Sequence, residues 1–207
     1  MMNDQVTFID KLRNKPLPWL ILGGLITAVL FLLYLAPEEA TLGTGIRAVY
    51  IHVALTWTGM AGFVLAGVIG LVVLFSAQEK LAQLMQTLGW VAFAFYGAGV
   101  VMSTIASKVN WGAVFWQEPR MMAAFNSLAV MTIILILNMW VPWVRVRGLL
   151  QILIPLTVVW ITNRAPLVLH PRNPIFSSEA TSIQFVFIAM FLLFAAIAGW
   201  VVWRLVK

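Results

Sequence analysis

Cysteine is absent from the 207 residues of this chain. This excludes disulfides, thiolate zinc sites, cysteine-held iron–sulfur clusters and cysteine nucleophiles. Charge is also scarce, since only 10% of the residues are Asp, Glu, Lys or Arg and 62% are hydrophobic, against about 25% charged in soluble domains. A soluble fold of this size cannot hide so many apolar side chains, so much of the surface is expected to face lipid. The sequence also lacks a Gly-x-x-x-x-Gly-Lys-Ser/Thr loop, which excludes ATP binding of that kind.

Six apolar runs predict an all-α integral membrane protein, a six-transmembrane-helix bundle forming a single membrane domain over residues 1–207. The predicted helices cover roughly 17–36, 53–77, 81–107, 121–144, 149–164 and 183–203, with an aromatic loop at 108–120. The first run follows a basic leader, but it is longer than a signal-peptide core and is followed by Pro37. We therefore expect a retained helix there.

Lys and Arg are unevenly divided between the two predicted faces. Eight of the 13 lie in the terminal segments and the second and fourth loops, and five lie in the other three loops. By the positive-inside rule, both termini are expected to be cytoplasmic. The net charge of +6 is then a topology signal, and no nucleic acid partner is expected.

Two features of the apolar runs predict helix packing. Gly62, Ala66 and Gly70 form a stripe of small residues that lets another helix approach closely in lipid. Asn126, Asn138 and Gln151 are the polar residues of the later runs, and an interhelical hydrogen bond explains each of them more simply than a transport path does.

The chain has only two histidines, His52 and His170, and six spans place both on the outer face. Two neutral imidazoles can hold a haem iron from opposite sides. The alternative is that each is an interfacial histidine bonded to backbone or to lipid headgroups.

Aromatic and basic residues are predicted at the same face. The loop between the third and fourth helices holds Trp111, Phe115 and Trp116, followed by Glu118-Pro119-Arg120. Interfacial tryptophan is ordinarily a membrane anchor, and Glu-Pro is a good helix opening. The same surface could stack on a porphyrin, whose propionates pair with guanidinium groups. Four arginines border it: Arg47, Arg120, Arg164 and Arg172.

The segment Trp111-Gly112-x-x-Phe115-x-x-Glu118-Pro119-Arg120 resembles the tryptophan-rich external motif of the haem-handling membrane proteins of cytochrome c biogenesis. The stretch from Arg47 to Val53 resembles the surroundings of that family's first external histidine, and Leu169-His170-Pro171 those of its second. With six spans the chain is similar to the cytochrome c maturation protein C group. It departs from the motif where Phe115 and Gln117 replace tryptophans and Glu118 replaces aspartate.

The resemblance implies haem b, resident or transient, at the outer face, with His52 and His170 as axial ligands of the iron. The other candidate haem contacts include the aromatic and basic residues described above. They are Trp111, Gly112, Phe115, Trp116, Glu118, Pro119, Arg120, Arg47 and Arg172. The implied task is haem presentation or transfer for c-type cytochrome assembly, without classical enzyme activity. The implied setting is the bacterial inner (plasma) membrane, beside a periplasmic haem chaperone and ABC-type transporter subunits.

Two other functions remain open at this point. A b-type haem subunit for membrane electron transfer often needs histidines at inner depth as well, and the sequence has none there. A haem-free assembly or transport subunit would be expected to carry charges inside its helices, and the first four predicted helices carry none.

Overall fold

The computed structural model of the chain describes residues 15–168, 175 and 180–206. All six helices found in these residues are long and apolar enough to cross a membrane. They are α1 Leu17–Leu35, α2 Ile46–Ser76, α3 Glu79–Trp111, α4 Pro119–Trp140, α5 Val144–Arg164 and α6 Thr181–Leu205. The predicted all-helical protein with six candidate membrane spans is confirmed.

Proline and left-handed backbone mark most helix ends. α1 ends shortly before Pro37 and α4 shortly before Pro142, since proline has no N–H to continue a helix. α3 ends at Gly112, whose φ of 73° is a left-handed conformation that favours glycine. Pro155 lies inside α5.

The second and third helices are longer than the apolar runs suggested. α2 begins at Ile46 instead of residue 53, and α3 ends at Trp111 instead of residue 107. Helical hydrogen bonds form between backbone groups, so a helix can continue past its apolar run into polar sequence. With 31 and 33 residues, the two helices are about 47–50 Å long, against roughly 30 Å of bilayer hydrocarbon.

Glycines bring α2 against its neighbours. A Cβ on Gly59 would lie 2.6 Å from the backbone nitrogen of Tyr96 in α3, and one on Gly62 would lie 2.8 Å from the Cβ of Ala92. A Cβ on Gly70 would lie 2.8 Å from the Gly148 carbonyl oxygen in α5. The predicted small-residue stripe is therefore a packing surface, and it serves two helices.

The helices do not all end at the same level. At one end, which we call the Trp111 end, Asn110 Nδ2 of α3 donates to the Gly45 carbonyl oxygen beside the start of α2, at 3.2 Å. A polar contact between α3 and α4 lies deeper in the bundle, where Ser103 Oγ donates to Met121 Sδ at 3.6 Å. Trp111 lies about 12 Å beyond Ser103 along α3. The paired ends of α2 and α3 therefore extend about two turns past the start of α4.

A buried polar pair joins α4 to α5 near the opposite end. Asn138 Nδ2 donates to Gln151 Oε1 at 3.2 Å, and both side chains are at most 1% exposed. The sequence predicted an interhelical hydrogen bond for each of these two residues, and they make it with each other. The third residue for which such a bond was predicted, Asn126, is exposed on α4. Arg147 Nη2 also donates to Glu79 Oε2 at 2.5 Å, tying α5 to the start of α3.

α1 packs mainly against α6. Trp200 Nε1 donates to the Pro18 carbonyl oxygen at 2.9 Å, and the rings of Trp19 and Trp200 meet edge to face at 5.0 Å. The Arg204 guanidinium lies 5.1 Å from the centre of the Trp19 ring.

Candidate functional site

His52 lies in the second turn of α2, at the Trp111 end, and its side chain is half-buried. Its Nδ1 atom is 2.8 Å from the carbonyl oxygen of Gly99 in α3. A carbonyl oxygen can only accept, so Nδ1 carries the proton and Nε2 of the neutral ring carries the lone pair. A backbone carbonyl on one ring nitrogen is the usual way a metal-binding histidine is oriented. The same bond also satisfies a histidine that merely packs between two helices.

The position of Gly99 depends on close contact between α2 and α3. A Cβ there would lie 2.9 Å from the backbone nitrogen of Thr56 and closer still to its hydroxyl oxygen, at 2.5 Å. Thr56 Oγ1 in turn donates to the His52 carbonyl oxygen at 2.8 Å. The imidazole is thus held at a contact where the two helix backbones nearly touch.

Met121 of α4 reaches a similar depth along α3. Its sulfur accepts the hydrogen bond from Ser103, one turn beyond Gly99 on α3. His52 and the start of α4 therefore lie at similar depth, below the extended ends of α2 and α3.

Arg47 and Arg120 are both partly buried at this end. Arg47 Nη2 donates a long hydrogen bond, 3.4 Å, to the Tyr34 carbonyl oxygen. The Nε atom of each guanidinium is buried, and within the described part of the chain neither has a hydrogen-bond partner. An unmet buried donor is costly, and an anionic ligand is one group that would satisfy these two N–H donors.

The aromatic residues lie further out and are exposed. Trp111 is the last residue of α3, so the loop runs over 112–118 and is shorter than the predicted 108–120. Trp111 and Trp116 are 49% and 57% exposed, Phe115 is exposed too, and the Trp116 ring lies 6.1 Å from that of Phe125. Trp111 is about 18 Å beyond Gly99 along α3. The rings thus form an open surface outside the level of His52, with Trp116 reaching back toward α4.

Gly112, Glu118 and Pro119 have local structural roles. The left-handed Gly112 ends α3, and its N–H donates to the Lys108 carbonyl oxygen at 3.0 Å. Glu118 is the N-cap of α4, since Oε2 accepts from the Met121 N–H at 2.8 Å, and the side chain is only 7% exposed. Pro119 occupies the first turn, where its missing N–H costs nothing. These contacts explain the three residue types without a ligand.

His170 and Arg172 lie outside the described residues, so the predicted pairing of His52 with His170 stays a prediction. Sequence reasoning did not find the partners of His52. Gly99 contributes a backbone carbonyl, which no residue type reveals.

A second opening lies between the start of α4 and the end of α5. It has a volume of about 510 Å³. Its lining residues are Arg120, Asn163, Arg164, Ala165, Pro166 and Leu167. The sequence placed Arg120 and Arg164 on one face, but nothing in it indicated that they share a cleft.

No protein-family model matches this chain, and no curated protein matches it. The functional assignment therefore depends on the chemistry of the residues at the Trp111 end.

Proposed function

We propose that this protein binds haem b at the Trp111 end and presents or transfers it for c-type cytochrome assembly. The observation that carries the proposal is the 2.8 Å hydrogen bond from His52 Nδ1 to the Gly99 carbonyl oxygen. It fixes the tautomer and orientation of an imidazole at the same end of the bundle as partly buried arginines and exposed aromatic rings. These are the side-chain types that a porphyrin with an iron and two carboxylates requires.

The described residues fit haem in three respects. His52 offers a ring nitrogen as an axial ligand. Arg47 and Arg120 each have a buried Nε–H that lacks a partner among the described residues and could bind a propionate. Phe115 and Trp116 offer open apolar surface near the start of α4. Trp111, three turns beyond Gly99, fits a contact at the outer edge of the ligand better than stacking beside the iron.

In this proposal His170 is the second axial ligand, and Met121 is the alternative. Met121 is plausible because its sulfur lies at the depth of His52, where it already accepts a hydrogen bond from Ser103. Histidine and methionine both serve as axial ligands of haem iron.

The protein's own contribution would be to hold and expose its ligand. Haem supplies the redox-active iron and the porphyrin edge on which a partner acts. His52 orients the ring, the arginines neutralise its carboxylates, and the open aromatic surface leaves one side accessible. This role needs no nucleophile or general base in the chain.

The proposed setting is a bacterial inner membrane with both termini in the cytoplasm and the Trp111 end facing the periplasm. Proposed partners are a periplasmic haem chaperone, to which the exposed rings are accessible, and ABC-type transporter subunits. The uneven distribution of Lys and Arg supports this orientation.

Absorption spectra of the purified protein, as isolated and after reduction with dithionite, test the assignment. We expect a six-coordinate haem spectrum. His52→Ala and His170→Ala should each shift the Soret band and lower retained haem, and added imidazole should restore part of the original spectrum. Met121→Leu should leave it unchanged. A normal six-coordinate spectrum in the double histidine variant would exclude these ligands.

Tryptophan substitutions test the aromatic surface separately. Trp116→Ala and Trp111→Ala should lower haem retention, by roughly the 1–3 kcal/mol of one stacking contact or less. Trp140→Ala is the matched control, because Trp140 is 81% exposed at the opposite end of the bundle. If all three variants lose expression equally and keep the same haem content, the tryptophans are membrane anchors.

A further inference from the structure

The cleft between the start of α4 and the end of α5 is large enough for a ligand of its own. Its volume of about 510 Å³ lies within the usual range for ligand pockets, roughly 300–1,000 Å³. It lies on the α5 side of the bundle, whereas His52 contacts α3 from α2. The cleft therefore shares Arg120 with the proposed haem site but is otherwise built from different residues.

The cleft has two arginines, and neither forms an ion pair with a described carboxylate. The ion pair found among residues 15–168 and 180–206 joins Arg147 to Glu79 at the opposite end. Arg120 Nε is buried without a hydrogen-bond partner in those residues. The Arg164 guanidinium lies over the Trp160 ring, 5.0 Å from its centre. This distance fits a cation–π contact, and a guanidinium so placed offers N–H groups that suit an oxyanion.

The surface below the cleft is apolar. α5 has 21 residues and is about 31 Å long, close to the thickness of the bilayer hydrocarbon, so its last residue, Arg164, lies near headgroup depth. Trp160 and Leu156, one and two turns below it, are 59% and 60% exposed. Charge at the end of the helix and exposed apolar side chains beneath it suit an amphipathic ligand with an anionic head.

We propose that this cleft binds an anionic phospholipid, with the headgroup phosphate between Arg120 and Arg164. The acyl chains lie along α5 against Trp160 and Leu156. The planar guanidinium of arginine can donate two parallel hydrogen bonds to phosphate oxygens. Basic pockets between membrane helices are suited to anionic headgroups. Free phosphate would satisfy the guanidiniums but would leave the apolar side of the cleft unused. The two proposals assign Arg120 to different anions, so the part of this inference that is independent of haem binding rests on Arg164 and the residues beside it.

Titration of the full-length protein in detergent with phosphatidylglycerol, followed by the shift in its thermal unfolding midpoint, tests this proposal. Phosphatidylcholine and inorganic phosphate are titrated in parallel. We expect stabilisation by phosphatidylglycerol, little by phosphatidylcholine, and little by phosphate alone. Arg164→Gln should weaken the apparent affinity for phosphatidylglycerol roughly tenfold, as for loss of one charge-assisted contact. Arg164→Lys should have an intermediate affinity for phosphatidylglycerol, since lysine keeps the charge but cannot donate two hydrogen bonds in the planar arrangement of a guanidinium.

Arg145→Gln is the matched control, because Arg145 is an exposed arginine near the other end of the same helix. An equal loss of affinity in Arg145→Gln and Arg164→Gln would show general charge attraction and overturn the proposal. Equal stabilisation by inorganic phosphate would overturn the lipid as the ligand. Arg164 is exposed, so its variants test the cleft even if Arg120→Gln fails to accumulate. None of these readouts involves haem, so failure of the haem assignment would be seen separately.

Discussion

His52 of α2 and Gly99 of α3 are joined by a hydrogen bond from an imidazole nitrogen to a backbone carbonyl, 2.8 Å long. The bond forms because the helices approach closely at this point: Gly99 has no side chain, and the backbone of Thr56 fills the space where a Cβ would lie. Helix packing and the orientation of the candidate ligand therefore depend on the same residue.

Gly99→Ala should separate the two helices and disturb the His52 ring. We expect a loss of about 1–3 kcal/mol in stability, as for overpacking of a tight contact, and lower haem retention. Thermal unfolding in detergent and the absorption spectrum measure the two effects. Gly199→Ala is the control, because a Cβ at Gly199 meets no atom within 4 Å. Equal behaviour of the two variants would contradict the close approach.

Glu118 variants distinguish helix capping from a charge effect on a ligand. Glu118→Ala removes the acceptor of the Met121 N–H and should cost about 1 kcal/mol. Glu118→Gln keeps an acceptor oxygen and should retain most of the stability. If capping is the main role, haem content should follow stability across both variants. A Glu118→Gln protein of normal stability that binds no haem would instead identify a role for the charge.

Asn138 and Gln151 should be energetically coupled. Asn138→Leu or Gln151→Met leaves the remaining partner buried in the bundle and should destabilise it by about 1–2 kcal/mol. The double variant should recover part of the loss, since no buried polar group is left unpaired. Asn126→Leu, at an exposed position on the same helix as Asn138, is the control. Additive losses in the double variant would mean that the two side chains act independently.

Cysteine labelling tests the orientation, and the absence of native cysteine makes it free of background. Ala40→Cys and Ala113→Cys lie in exposed loops at the Trp111 end, and Arg145→Cys lies near the other end. We expect an impermeant maleimide to label the first two in intact cells and the third only after lysis. The reverse pattern would place the Trp111 end in the cytoplasm and remove the proposed route to a periplasmic chaperone.

Residue patterns predicted the features that depend on composition. Apolar runs revealed six helices, and the Gly62–Gly70 stripe lies at helix contacts. Of the three polar residues expected to bond between helices, Asn138 and Gln151 do so, with each other, whereas Asn126 is exposed. The helix ends at Ile46 and Trp111 were not predicted. Hydropathy indicates which residues face lipid, whereas backbone hydrogen bonding determines where a helix ends.

Contacts made by backbone atoms, and contacts that depend on how the helices pack, were harder to predict from the sequence. The Gly99 carbonyl carries no signal in the residue type, and the shared cleft of Arg120 and Arg164 depends on how α4 packs against α5. The sequence placed both arginines on one face, but only the packing brings their side chains to one opening. His52 could be singled out because histidine is rare in this chain.

The attachment of α1 to α6 has a consequence for biosynthesis. Trp200 and Pro18, which hold the two helices together, are separated by 182 positions in sequence. As the chain is made, the first helix enters the bilayer long before its chief neighbour is translated. Until α6 is inserted, α1 remains surrounded mainly by lipid, held to α2 by the connecting loop and by the hydrogen bond from Arg47 to the Tyr34 carbonyl oxygen. The seam between the first and last helices is thus the last part of the bundle to close, and nascent chains stalled before residue 181 should leave α1 accessible to membrane quality-control proteases.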